Sequence, residues 1–134
     1  MNKLNLQPHF SDLVSQKEFL RNTVGMEWKT GGGTLDAGEF DSVKNDDGFV
    51  PAGTAVVLND DGFYVPFEDA TEGGDGETPT ANSEGAGLTA NDVNVNNGNV
   101  IVGILIAGHP IEDKCTGVTK QFKDAVKGYL RFDA

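Results

Sequence analysis

The sequence predicts a mainly β (α+β) fold: a small, β-barrel-like body of short hairpins with one C-terminal helix, preceded by a flexible N-terminal arm. Three observations predict it. The 134 residues include 18 glycines among many Asn and Asp, so much of the chain is turn and the core is built from short segments. The turn tetrapeptide Asn-Asp-Asp-Gly occurs twice, at 45–48 and 59–62, and Asp-Gly between apolar runs is a strong hairpin signal. The stretch VNVNNGNVIVGILIAG, 93–108, then sets Asn97-Gly98 ahead of a run apolar enough for a central strand buried on both faces. A chain of this length folds around one core and buries somewhat under about 70% of its unfolded surface.

In chain order, residues 1–33 read as an arm ending in a glycine hinge, and 34–134 as the β-rich body. Leu13, Val14, Phe19, Leu20 and Val24 have partial helical spacing, and Ser11 is a fit cap, so the arm predicts a short helix. Gly31, Gly32 and Gly33 break any regular element and form the hinge. The segments TAVVL (54–58) and FYV (63–65) flank the second Asn-Asp-Asp-Gly and predict a β-hairpin, with Phe63 and Val65 on one face and Tyr64 on the other. Residues 68–92 are acidic and Gly-rich, with Leu88 as the one large apolar side chain, and predict a long surface loop. Asn97-Gly98 predicts a second hairpin, and Gly103 marks a bulge or a close backbone approach. Val118, Phe122 and Val126, spaced by four, predict an amphipathic helix over about 118–127 with Gly128 at its C-cap. The sequence YLRF then predicts a short closing strand.

The net charge of −11, from 21 acidic against 10 basic residues, is unevenly spread: no Lys or Arg lies between Lys44 and Lys114. Such a field repels phosphate backbones and anionic lipid, so the expected partners include no nucleic acid and no membrane. A basic protein surface or a divalent cation is attracted instead. The two acidic turns lack the EF-hand spacing, and a turn needs Asn, Asp and Gly for backbone reasons alone. Cys115 stands alone, which excludes an intramolecular disulfide and a Cys-pair zinc site. His9 and His109 are a hundred positions apart, and no nucleophile elbow, metalloprotease helix or phosphate-binding glycine loop occurs. No catalytic residue, cofactor or metal site is expected. The start MNKLNLQPHF lacks the pattern of a secretory signal, and the longest apolar run, Val100 to Ala107, has eight residues, which predicts a soluble protein made in a cytosol. Trp28, Phe40, Phe49, Phe63, Tyr64 and Phe67 read as core, with a carbohydrate-stacking platform as the rival and Trp28 the expected exposed contact.

The order of these pieces resembles the head-decoration proteins of tailed bacteriophages, the lambda-type capsid-stabilising family. The residues that carry it are Pro51-Ala52-Gly53-Thr54, the Asp61-Gly62 turn, Gly103-Ile104-Leu105 and the helix around Phe122, so it covers roughly residue 40 to the end. The resemblance implies a β-tulip body that forms a homotrimer. It implies that the trimer sits at local three-fold positions on the outside of the virion head and cements the major capsid protein. It implies an arm that adds a strand to the capsid lattice. Carried onto this chain, capsid contact falls to Leu4, Leu6, Phe10, Leu13, Phe19 and Trp28, and the trimer or core to Pro51, Ala52, Gly53, Gly103, Ile104 and Leu105. The helical arm and the acidic loop depart from the family pattern. The alternative is a head-fibre or adhesin-like module that presents the acidic loop to a host surface or glycan.

Overall fold

The repeated Asn-Asp-Asp-Gly segment folds identically both times in this computed structural model, which describes residues 19–70 and 81–132. Asn45 Oδ1 accepts the N–H of Asp47 and of Phe49, each at 3.0 Å, and Asn59 Oδ1 accepts those of Asp61 and Phe63, each at 2.9 Å. The chain closes on Gly48 and Gly62 at φ +88° and +87°, where a side chain would be strained. The second copy joins β4 (Ala55–Leu58) to β5 (Tyr64–Pro66) as the expected hairpin, with Val57 opposite Val65. The first copy makes no local hairpin. It leads into β3 (Phe49–Val50), which pairs with β7 (Val93–Asn94) far along the chain, because Asn94 and Asn96 both donate side-chain N–H groups to the Asp47 carbonyl.

Seven strands make the main sheet: β1 (Leu20–Trp28), β2 (Gly33–Leu35), β4, β5, β6 (Gly87–Thr89), β8 (Val100–Val102) and β9 (Ile104–Pro110). Their order is β1-β9-β6-β4-β5-β2-β8, and the sheet curls into a half-barrel. One residue, Gly103, separates β8 at one edge from β9, which lies next to the opposite edge strand β1, so a single bent run of chain spans the mouth of the curl. A Cβ on Gly103 would lie 3.1 Å from the Ala90 methyl, which is the close approach expected there. The predicted hairpin across Asn97-Gly98 does not form: β7 pairs with β3, and β8 pairs with β2.

Alternation along the strands sends side chains to two cores. Ala55, Val57, Phe67, Leu88 and Leu105 pack with Phe19, Phe122, Val126 and Leu130 on one face. Val56, Tyr64 and Ile104 pack with Leu35, Phe40, Val50, Val95 and Val102 on the other. The second set draws on both ends of the sheet and so fills the curl; the first lies beneath α1 (Lys120–Ala125). That helix is shorter than the predicted 118–127 because Thr119 caps it, its Oγ1 accepting the Phe122 N–H at 3.2 Å. The closing strand is a single bridge between Leu130 and Gly108.

Two further expectations are corrected. The helix read across residues 11–24 lies outside the described residues up to 18, and from Leu20 onward the chain is β1, paired to β9 with Leu20 opposite Pro110 and Trp28 opposite Leu105. Thr23 and Val24 are β-branched, and the apolar partner strand overrides a weak helical pattern. The body therefore starts near Phe19 rather than after a hinge at 33. Gly32 and Gly33 form a tight crossing, where a Cβ would meet the Val102 carbonyl oxygen at 2.6 Å and the Tyr64 ring at 2.5 Å respectively. The acidic loop over 68–92 contains β6, which sits between β9 and β4 with Leu88 and Thr89 fully buried.

The hydroxyl of Tyr64 is buried without a hydrogen-bond partner, beside Gly85 and Leu58. An unpaired buried hydroxyl costs about 1–3 kcal/mol. Tyr64→Phe should therefore stabilise the fold by about 1 kcal/mol, raising the melting temperature by about 4 °C in a scanning calorimeter. Burial also pushes the phenol above its ordinary value of 10.0. The unfolded chain ionises first, so this contribution to stability is intact below that value and is lost as pH rises through the higher folded one. The Phe variant should lack that alkaline decline, and a melting temperature that falls on substitution would contradict the unpaired state.

Candidate interaction surface

The segment Pro51-Ala52-Gly53-Thr54 is a hydrogen-bonded hub. The Pro51 carbonyl accepts both the Thr54 hydroxyl at 2.6 Å and the Thr89 hydroxyl at 3.0 Å, while Thr89 Oγ1 accepts the Thr54 N–H at 3.1 Å. Asp92 Oδ1 accepts the Ala52 N–H at 2.7 Å. Gly53 exchanges backbone bonds with Thr89 and Thr116. These bonds fix the start of β4.

The other residues carried by the resemblance lie against the same place. Ile104 pairs with Thr89, and Leu105 with Leu88. Ala52, Gly53, Ile104 and Leu105 are buried, and Pro51 and Gly103 are half-buried. Four of these six residues thus belong to the scaffold of the body. Leu4, Leu6, Phe10 and Leu13 lie outside the described residues. Phe19 is a core side chain at 3% exposure, its carbonyl accepting the Ile111 N–H at 2.6 Å. Trp28 is half-buried and packs against the core rather than standing out as the expected contact.

Among the described residues the exposed large apolar groups are Ile101 at 72%, Tyr129 at 68%, Phe49 at 38% and Met26 at 36%; Phe49 is thereby corrected from the core position expected of it, and the other three were not singled out. Ile101 was hidden by the uniform apolarity of its run, because only the pairing of β8 at a sheet edge turns it outward. Tyr129 carried a signal, since it follows Gly128 where the helix must end. Beside it is a groove of about 370 Å³, lined by Ala86, Ile106, Val126 and Tyr129 with Glu27 and Ser83 as its polar members. Its floor and rim suit apolar or aromatic contact.

Among the described residues no three His, Cys, Asp or Glu side chains are placed to hold a metal ion. In both acidic turns the Asn oxygen is already held by two backbone N–H donors, as the turn reading requires. The Cys115 thiol donates to the Ile111 carbonyl at 3.3 Å. His9 lies outside the described residues, and His109 is half-buried on β9. Among the described residues no helix is long and apolar enough to cross a membrane.

The geometry thus defines a class: a mainly β half-barrel with one short helix. Comparison of the chain with protein families, with curated proteins and with solved structures finds no match.

Proposed function

We propose that the protein is a non-enzymatic structural component of a phage virion that binds the outside of the head and cements or decorates the capsid lattice, as a homotrimer at local three-fold sites. One observation carries the reading. Three of the four segments on which the family resemblance rests are distant in sequence but converge on β6: Gly53 and Thr54 donate backbone N–H groups to Thr89, Leu105 lies opposite Leu88 and Ile104 opposite Thr89, and Phe122 packs in the cluster of Leu88 and Leu105. Residues that meet around one central strand are the residues a shared fold would keep. The acidic field also suits a protein that works beside packaged nucleic acid without binding it. The partners are the major capsid protein and further copies of this chain, and Ile101, Phe49, Met26 and Tyr129 are the apolar groups free for such contacts.

The test is a deletion of residues 1–18, which stops short of Phe19 and β1 and so leaves the body intact. Light-scattering chromatography should give a trimer for both forms. The truncated protein should lose apparent affinity for expanded heads by about a hundredfold or more, the scale on which multivalent contact operates. Failure of the full chain to bind heads of any host phage would end this reading. One observation favours a second reading as an adhesin-like module: the exposed Tyr129 ring borders a groove with Glu27 and Ser83, an aromatic and polar pairing suited to a sugar. Glycan-array binding abolished by Tyr129→Ala would favour it.

A further inference from the structure

Seven Asn side chains among the described residues can be compared directly, and six are held. Asn45 and Asn59 each accept two backbone N–H groups. Asn82 accepts the Glu84 N–H at 3.1 Å and donates to the Leu58 carbonyl at 3.0 Å. Asn94 accepts the Asn96 N–H at 2.8 Å, Asn96 donates to the Asp47 carbonyl at 2.9 Å, and Asn99 accepts the Ala37 N–H at 2.9 Å. Asn97 differs. It is exposed, its carboxamide makes no hydrogen bond to a described residue, and the next residue is Gly98. The Gly98 N–H reaches the Val95 carbonyl only at 3.4 Å, against 2.9 and 3.1 Å for Gly48 and Gly62 in the acidic turns.

We propose that Asn97 is a site of self-modification in the folded protein, losing its side-chain amide to attack by the Gly98 backbone nitrogen, with water as the only co-reactant. Asparagine is among the thermolabile residues, and its lability depends on how freely the side-chain carbon reaches the following nitrogen. Gly98 has no Cβ to obstruct that approach, and its N–H is weakly held. Hydroxide removes the proton of the Gly98 amide, and the nitrogen forms a bond to Asn97 Cγ. The Cγ–Nδ2 bond then breaks, and the nitrogen leaves as ammonia after taking a proton from water. The resulting five-membered imide is opened by water at either carbonyl, so residue 97 becomes aspartate or isoaspartate. No electrons are transferred. Asp47-Gly48 and Asp61-Gly62 are poorer sites, because a carboxylate is a weak electrophile and both glycine N–H groups are well bonded.

The product carries one more negative charge at the turn that leads into β8 and the exposed Ile101. A stored preparation should therefore separate into charge isoforms while remaining folded.

The test incubates the full-length protein at mildly alkaline pH beside a synthetic peptide of residues 93–101, with intact mass and peptide mapping over time. The expected result is a gain of about 1 Da with release of ammonia. It should map to residue 97 with isoaspartate present, at a rate of the same order as in the peptide, while Asn45 and Asn59 stay intact. Asn97→Gln, at an exposed side chain, should abolish this first isoform. An unchanged residue 97 when the peptide is converted, or a first mass gain at another Asn, would overturn the proposal.

Discussion

Phe122→Ala lowers the unfolding free energy by about 3–5 kcal/mol, a large part of the roughly 5–15 kcal/mol that holds a domain folded. The ring is fully buried and meets Phe67 edge-on at a centroid distance of 5.1 Å and Phe132 at 6.2 Å. Its loss removes apolar burial and leaves a cavity that the strands beneath, fixed by their ladders, fill poorly. A second effect adds to the first. The helix has six residues, too few to be stable alone, and Phe122 is its buried side chain. The other buried apolar side chain at the helix is Val126, at its end. Urea unfolding followed by circular dichroism should show a lower midpoint with an unchanged slope. A loss of about 1 kcal/mol or less would mean that the helix is not seated on this core.

The helix was legible because its signal is local: three apolar residues at a spacing of four, and a stop at Gly128. The hairpin of β4 and β5 was legible for the same reason, since its turn chemistry and both strands lie within a dozen residues. Pairings between distant segments were not. The first Asn-Asp-Asp-Gly has the same local geometry as the second, and only the docking of residues 94–96 decides that β3 pairs with β7. Likewise β1 resembles a helix until its partner strand is known, and β8 and β9 look like one strand until the bend at Gly103 separates them.

The candidate surface was harder to read for a physical reason. The residues singled out from the sequence, Pro51 to Gly53 and Gly103 to Leu105, are distinctive because the fold constrains them tightly, and tight constraint belongs to the core. A contact surface asks only for an apolar group left uncovered, which is a property of neighbours and not of the residue. Ile101 and Ile104 are the same side chain in the same run, yet one is 72% exposed and the other fully buried. The bend at Gly103 and the place of each strand in the sheet distinguish them.

Leu88→Ala is the second large effect, at about 2–5 kcal/mol, and it separates the two descriptions of residues 68–92. On an acidic surface loop the substitution would change stability by no more than about 0.5 kcal/mol. In the structure Leu88 is fully buried at the middle of β6, opposite Ala55 on one side and Leu105 on the other. It is the one large apolar residue in a polar stretch because a three-residue strand needs no more: Gly87 permits the close approach of Ile104 and the Leu105 carbonyl, and Thr89 supplies the hydroxyl that joins Pro51 to Thr54. Truncating Leu88 opens a cavity next to Phe122 and Leu105, in the cluster that joins the sheet to the helix. Hydrogen exchange should show loss of protection spreading from β6 into β4 and β9, its two neighbours. Loss confined to residues 68–92 would instead mean that this segment rests on a sheet complete without it.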